Sequence, residues 1–342
     1  MDPVRLLLIS STAVLSLMLL IEWNQYSDEY QKQQSDLYSA AIAEPLMLGD
    51  ETAGTPLSGG LDEGIPSVNQ EASPLAVFLD DSETFTLSTD TLNLVISADG
   101  GDVVSASLPK FPVRLDAPDQ PFRLLENNSL RRYVAQSGLI GPDGIDASGN
   151  RARYASQGLT NNGDGSHTLT LAWTGNDPLG LQVYKRFSAY DDRYDVDVSF
   201  DIRNGGRSVA SITSFAQLKR DNTQAPDGNT GFGVSPYLGA ALTQPDERYT
   251  KLSFSDLGDG PFSKRLPAGW VAILQHYFVS AWIPSQQTSH DYFASQLSNG
   301  DNVIGYKNQN VDIAPGSATT ITQTLYVGPK DQVVLADLAK YL

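Results

Sequence analysis

Residues 92–108 read LNLVISADGGDVVSASL, and this stretch decides the fold class. Apolar and polar side chains alternate in 92–97 and again in 103–108, which is typical of strands with one buried face. The intervening DGGD sequence, residues 99–102, consists of residues that favour tight turns. The stretch therefore predicts a β-hairpin.

The same period-two pattern recurs along most of the chain. Turn-forming residues separate the runs at 162–165, 204–206 and 299–300, and no long 3.6-residue period lies between them, so β-α-β units are not expected. We predict a mainly β fold, one large antiparallel β-sandwich over residues 83–328. The expected strands are 84–88, 92–97, 103–108, 168–173, 181–188, 194–202, 209–218, 270–282, 292–297, 303–306 and 319–327.

A short helix is predicted after this domain, in residues 329–342. Gly328 and Pro329 end the last strand, and Asp331 is a suitable N-cap for a helix reading QVVLADLAKYL. We expect this helix to pack on the sandwich or to lie at a membrane surface. Its apolar face is predicted to consist of Val334, Leu335, Leu338 and Leu342.

Residues 1–25 are predicted to form a transmembrane anchor. The segment 4–21, VRLLLISSTAVLSLMLLI, is uncharged from Leu6 onward and is close to the length of a helix that spans a bilayer. Arg5 precedes the apolar run and acidic residues follow it, so the positive-inside rule places the N-terminus in the cytoplasm and the bulk of the chain outside. A cleaved signal peptide is the alternative, but no small-residue cleavage site follows the run directly.

Residues 26–82 are predicted to be a disordered acidic linker. Eleven acidic side chains face a single basic one, Lys32, and four prolines interrupt any regular pattern. Such a segment cannot bury enough apolar surface to fold. An acidic interaction tail is the alternative to a plain spacer.

Composition argues against several classes of function. The 342 residues carry a formal net charge of −17, which argues against nucleic acid as a partner because phosphate contacts need a basic surface. The absence of cysteine excludes disulfides, thiolate metal sites and a cysteine nucleophile. Three histidines leave little room for a histidine-based metal site.

Two short motifs resemble functional loops but fit turns better. Residues 161–166, NNGDGS, resemble the start of a calcium-binding loop. The glutamate and the flanking helices of such a loop are missing, so we predict a hairpin turn. Residues 233–237, GVSPY, begin like the nucleophile elbow of a hydrolase, but the second glycine is missing and a plain loop is expected.

The most apolar stretch of the β-domain is 270–282, WVAILQHYFVSAW. Core packing is the simplest interpretation. The alternative is a groove that receives hydrophobic polypeptide or lipid. Its candidate contact residues are Trp270, Tyr277, Phe278 and Trp282.

The histidines do not form an evident catalytic set. His276 is either a packed strand residue or a general base. Glu126 and Asp246 are possible partners for a histidine only if the fold brings them together. His290 is expected in a loop and His167 next to a turn. Because no pair of carboxylates is marked out by spacing either, no catalytic, cofactor or metal residue is predicted.

Several blocks, taken in order, resemble one protein family. They are the N-terminal sequence MDPVRLLLI with its apolar run, and residues 89–112, 120–126, 133–144, 215–219, 237–254, 269–284, 304–309 and 325–329. The block at 269–284 reads GWVAILQHYFVSAWIP. Together they resemble the anchor and periplasmic domain of the YidC family of bacterial inner-membrane protein insertases, of the Gram-negative type.

This resemblance implies a periplasmic β-super-sandwich similar to the galactose mutarotase fold, followed by a short helical region. It implies no enzyme activity and no cofactor, since the family inserts and folds inner-membrane proteins with or without the Sec translocon. The periplasmic domain would be an accessory that contacts partners. The partners implied by the resemblance are SecYEG and SecDF of the translocon, nascent inner-membrane proteins, and the lipid bilayer around residues 4–21.

The resemblance does not reach the part of the family that carries out insertion. That part has five further membrane helices and a polar, arginine-bearing groove, and none of them matches these 342 residues. We therefore expect the 342 residues alone not to insert a substrate. Two other functions stay open: an anchored carbohydrate-binding or mutarotase-like sugar module, which needs a histidine and an acidic partner in one cleft, and an independent periplasmic holdase.

Overall fold

A computed structural model describes residues 83–113, 118–146, 151–175, 180–223, 237–244, 247, 249–339 and 342. The predicted anchor at 1–25 and linker at 26–82 lie outside these residues, as do 233–236 of the GVSPY motif. Neither of the helices in the described ranges is long and apolar enough to cross a membrane.

Within the described ranges the first sheet has ten strands, and each strand pairs with its neighbours in antiparallel fashion. They are β1 (Thr84–Ser88), β2 (Asn93–Ser97), β3 (Val103–Pro112), β4 (Pro121–Asn127), β5 (Arg132–Ile140), β10 (Ala210–Arg220), β13 (Phe262–Pro267), β16 (Ser289–Gln296), β17 (Asn302–Lys307) and β18 (Val311–Ile313). Their spatial order is β1-β2-β3-β4-β5-β10-β17-β16-β13, and β18 joins β10.

The second sheet has nine strands in the part of the chain that the structure describes, and its pairings are also antiparallel. They are β6 (Tyr154–Asn161), β7 (Ser166–Trp173), β8 (Leu181–Tyr190), β9 (Asp195–Asn204), β11 (Gly239–Leu242), β12 (Thr250–Leu252), β14 (Val271–Leu274), β15 (Phe278–Ile283) and β19 (Ala318–Pro329). Their spatial order is β12-β11-β14-β15-β19-β9-β8-β7-β6.

The main apolar core is built from buried side chains of both sheets. Strand β8 shows how the period-two pattern works, because Phe187 and Ala189 are buried in this core and Leu181 and Val183 in a further apolar cluster. The side chains between Leu181 and Val183, and between Phe187 and Ala189, are exposed or half-buried. The same alternation places Lys185 on the buried face. The predicted mainly β, antiparallel super-sandwich is therefore confirmed.

Every predicted strand except 270–282 is present, with bounds that differ from the prediction by four residues at most. The run 270–282 was predicted as one strand, but it folds as the hairpin β14–β15. The backbone N–H of Gln275 donates to the Phe278 carbonyl at 3.0 Å and closes the turn. Strands β4, β5, β6, β11, β12, β13 and β18 were not predicted. A short helix, α1 (Phe254–Asp259), follows β12 and begins at a capping box on Ser253.

The predicted C-terminal helix is present as α2 (Gln332–Leu338). The Asp331 carboxylate caps it by accepting from the amides of Val333 and Val334. Leu335 is buried with Trp270 and Tyr326 on the face of the second sheet away from the main core. Of the two predicted positions the helix takes the one on the sandwich, and it ends at Leu338 rather than 342.

Candidate functional site

The β14–β15 hairpin presents one aromatic ring to solvent. Tyr277 lies at the tip of the turn and is 60% exposed. Its ring stacks on that of His276 with a centroid separation of 3.9 Å. The Lys330 amide donates to the Tyr277 carbonyl at 2.9 Å, which joins the tip to the segment that follows β19.

The other three predicted contact residues are part of the core. Trp270 and Trp282 are fully buried, and Phe278 is 7% exposed and stacks on Phe122 at 4.4 Å. In this fold Trp270, Phe278 and Trp282 pack within the protein, whereas Tyr277 is available to a partner. A contact role for the hairpin stays a prediction, and Tyr277 is the residue on which it depends.

A group of buried polar side chains supports the base of this hairpin; we call Gln275, Arg131, Arg220 and Tyr133 the hairpin cluster. With its amide oxygen turned toward the guanidinium groups, Gln275 accepts from Arg131 at 3.2 Å and from Arg220 at 2.8 Å. The Arg220 guanidinium lies 4.8 Å from the centre of the Tyr133 ring.

The hydroxyl of Tyr133 completes this support by bonding that of Ser280 in β15. Burial raises the pKa of Tyr133, although Arg220, Ser280 and Arg131 act in the opposite direction. The tyrosine is therefore neutral at physiological pH and acts as a hydrogen-bonding and stacking group. Because these contacts join β5, β10 and the hairpin, they hold the Tyr277 turn on a fixed base.

A second buried group, the inter-sheet cluster, comprises Lys185, Arg151, Asp102 and Asp146. Arg151 forms ion pairs with Asp102 and, at 3.0 Å, with Asp146. Burial alone would lower the pKa of Arg151, but the two carboxylates raise it above its usual range. Neither cluster could be predicted from the sequence, because the members of each come from distant parts of the chain.

The histidines are placed in three different settings. His290 is buried, with its Nδ1 2.7 Å from Asn308 Oδ1 and its Nε2 2.8 Å from the Ser285 carbonyl oxygen. His167 lies near the surface with its Nε2 3.0 Å from the Asp191 carboxylate. Among the described residues, neither His276 nor His290 has a hydrogen bond to a carboxylate.

Glu126, which was suggested as an acidic partner for a histidine, bonds other groups. Its carboxylate accepts from Asn128 at 2.8 Å and lies near Arg123 and Arg131, and Asp246 is outside the described residues. A mutarotase-like reaction needs a histidine and a carboxylate in one cleft, and within the described residues the one histidine–carboxylate pair is that of His167 with Asp191, near the surface.

The described residues also contain no group of three or more histidine, aspartate or glutamate side chains able to hold a metal ion. The calcium-like sequence 161–166 is the hairpin turn predicted between β6 and β7. There the Gly163 amide donates to Asn161 Oδ1 at 2.9 Å, and the Ser166 amide donates to Asp164 Oδ1 at 3.0 Å. These oxygens serve the turn itself.

Solved structures similar to this fold include sugar enzymes at low identity. A galactose mutarotase related enzyme from Lactobacillus acidophilus is 12% identical with a TM-score of 0.48, covering 72% of this chain and 97% of that one. A putative aldose 1-epimerase from Klebsiella pneumoniae subsp. pneumoniae MGH 78578 is 10% identical with a TM-score of 0.46, covering 75% and 82%. No activity is transferred from them.

Sequence relatives are much closer. The membrane protein insertase YidC of Pseudomonas entomophila (strain L48) is 37% identical over 349 residues, covering 99% of this chain and 60% of the relative. That of Pseudomonas syringae pv. syringae (strain B728a) is 36% identical over 348 residues, covering 99% and 61%. The chain thus spans about three fifths of the length of these curated relatives. Because the sequence model of the YidC periplasmic domain also matches residues 84–342, the chain belongs to the YidC periplasmic domain family.

Proposed function

We propose that this chain is the anchor and periplasmic portion of a membrane protein insertase, and that its β-domain is a non-catalytic accessory that contacts partner proteins. The observation that carries the proposal is the 37% identity over 99% of the chain to proteins named membrane protein insertase YidC. The exposed tip of the β14–β15 hairpin offers a contact point.

The proposed location is the bacterial inner membrane, with the N-terminus in the cytoplasm and the β-domain in the periplasm. The apolar segment 4–21, with Arg5 before it and acidic residues after it, supports this orientation. Alkaline phosphatase, which is active only outside the cytoplasm, should be active when fused after Leu342. Green fluorescent protein at the same position should be dark, and a fluorescent fusion with inactive phosphatase would contradict the orientation.

The mass of the native product tests whether this chain serves an insertase. An antibody raised against residues 83–328 should detect, in the membrane fraction, a band well above the 36.9 kDa of these 342 residues. A band at 36.9 kDa would mean a free-standing anchored β-domain and would contradict the insertase part of the proposal.

The proposed partners are Sec translocon components and nascent inner-membrane proteins. A photo-crosslinking residue in place of Tyr277 should capture one of them during membrane protein synthesis. The matched control is the same residue in place of Val209, which is 53% exposed and precedes β10 at the end opposite Arg220. Equal capture at both positions, or none at 277, would contradict a contact role for the hairpin.

A further inference from the structure

Lys185 occupies a core position in the middle of β8. It is completely buried, and its neighbours across the sheet are Leu171 in β7 and Phe200 in β9. Removing an ammonium group from water costs several kcal/mol unless other groups compensate its charge. The surroundings of this amine therefore decide in which protonation state it can be buried.

The amine connects the two sheets through backbone carbonyls. Lys185 Nζ donates to the carbonyl oxygens of Gly100 and Ser137, each at 2.9 Å. Gly100 lies in the turn between β2 and β3, and Ser137 lies in β5, so both acceptors belong to the first sheet, whereas β8 belongs to the second. Lys185 is thus a tie between the two layers of the sandwich.

The nearby carboxylates are already engaged by another cation. Arg151 pairs with both Asp102 and Asp146, and its guanidinium also donates to the Ser137 carbonyl at 2.9 Å and to the Gly100 carbonyl at 3.3 Å. Lys185 therefore shares its two acceptors with a permanent positive charge. No ion pair of Lys185 with a carboxylate is formed within the described ranges.

The number of hydrogen bonds suits a neutral amine. A neutral lysine has two N–H groups, and two carbonyls accept from Lys185. The ammonium form has a third N–H, and the rings of Phe187 and Phe200, at 5.4 and 5.1 Å from Nζ, are its further neighbours. The remaining titratable group facing the cluster, Tyr154, is held neutral because burial raises its pKa well above 10.

The DGGD turn is fitted around this cluster. Gly101 has φ +58°, and a Cβ there would lie 2.9 Å from Lys185 Cδ. Gly100 has φ +76°, and a Cβ there would overlap the Arg151 guanidinium. The two glycines that identified the hairpin in the sequence thus also make room for the buried cations.

The surroundings of Lys185 lower its pKa into the neutral range. Burial lowers its pKa to about 7; Arg151 acts in the same direction, and Asp102 and Asp146 oppose it. An unfolded chain would keep this lysine protonated up to about pH 10.5. Between these two values the folded protein binds fewer protons than the unfolded chain.

We propose that Lys185 is a pH-responsive tie between the two sheets, in which proton uptake by the buried amine loosens the β2–β3 turn and β5 from β8. The contribution of Lys185 to the free energy of unfolding is fully present above about pH 10.5 and is lost as the pH falls toward about 7. This inference does not rest on the proposed function.

The test compares the full chain in detergent with Lys185→Met and with Lys110→Met, which removes an exposed lysine. The ratio of the unfolding equilibrium constant of the wild type to that of Lys185→Met should fall about tenfold for each pH unit between pH 8 and 10. Unfolding of the wild type takes up one proton at Lys185 in this range, so the folded wild type is favoured at higher pH. Lys110→Met should show no such pH-dependent difference. Hydrogen exchange, corrected for intrinsic rates, should show stronger protection of 98–103 and 137–139 at pH 9 than at pH 6.5 in the wild type alone.

Identical pH profiles for the wild type and Lys185→Met would overturn the proposal. If Lys185→Met does not fold, the Lys185 amine of the wild type can be titrated directly by ¹⁵N NMR. A midpoint near pH 7 is expected, and an amine that stays protonated beyond pH 10 would overturn the proposal.

Discussion

The inter-sheet cluster and the hairpin cluster bury arginines in two different ways. Arg151 is compensated by two buried carboxylates, Asp102 and Asp146. Arg131 and Arg220 share the neutral Gln275 side-chain amide. Arg131 also donates to the Leu124 carbonyl at 3.0 Å and lies 3.9 Å from the half-buried Glu126 carboxylate.

The two regions also differ in what they present to solvent. In the inter-sheet cluster the Arg151 side chain is 9% exposed, whereas the hairpin cluster is buried and lies below the exposed Tyr277. We conclude that the inter-sheet cluster is an internal joint of the sandwich and that the hairpin cluster supports a surface that is available to a partner.

The largest expected loss of stability comes from removing a carboxylate of the inter-sheet cluster. Asp146→Ala would leave Arg151 with one carboxylate and would also leave the amides of Leu139 and Ala152, now 2.9 Å from the Asp146 oxygens, without that acceptor. Breaking one side of a buried ion pair costs about 3–5 kcal/mol. Urea unfolding of the full chain should show a loss of this size.

The control for this prediction is the exposed ion pair between Asp99 and Arg153, with an N–O distance of 3.1 Å. Asp99→Ala should cost less than about 1 kcal/mol, because solvent screens exposed pairs. Similar losses for the two variants would show that the inter-sheet cluster is not a tightly enclosed joint.

A slightly smaller loss of stability is expected from a substitution on the buried side of the β14–β15 hairpin. Phe278→Ala removes a ring that stacks on Phe122 and meets Phe111 edge-on at 5.4 Å, and large-to-small changes of buried aromatics cost about 3 kcal/mol or more. The measurement is again urea unfolding, with Leu159→Ala as an exposed apolar control at 52% exposure. A cost below 1 kcal/mol for Phe278→Ala would return this residue to the candidates for partner contact.

A smaller loss of stability than for Phe278→Ala is expected from a substitution in the DGGD turn, which packs around the inter-sheet cluster. Gly101→Ala would place a Cβ against Lys185 at a positive φ, and we expect a loss of about 2–3 kcal/mol from backbone strain and overlap together. Gly163→Ala, at φ +77° with no atom within 4 Å, has the strain without the overlap and should cost about 1 kcal/mol. Equal losses would mean that Lys185 adapts freely.

Alternating apolar and polar side chains make a strand with one buried face predictable from the sequence. Strand β8 is an example, and its alternation also places Lys185 on the buried face. The N-cap at Asp331 was predicted for a similarly local reason, since its carboxylate serves amides two and three residues away.

Burial on both faces explains why β5 was missed and why the turn between β14 and β15 was missed. Residues of β14 and β15 are buried throughout, because the core covers one face and α2 covers part of the other. Period two is then lost, and the turn at Gln275 gives no local signal. Strand β5 was missed for the same reason, since eight of its nine residues are buried. The two clusters depend on pairings that no local pattern encodes.

The smallest effect on stability is expected at the residue that matters most for the proposed contact. Tyr277→Ala removes an exposed ring stacked on His276, so the free energy of unfolding should change by less than about 0.5 kcal/mol. Co-purification of Sec translocon components with the chain should nevertheless fall, because an exposed aromatic ring on a fixed base is a favourable binding anchor. Val209→Ala is the matched control and should change neither quantity.

If Tyr277→Ala destabilises the fold by as much as Phe278→Ala, the tip of the hairpin belongs to the core as its base does. If both stability and co-purification are unchanged, the partner binds elsewhere on the sandwich.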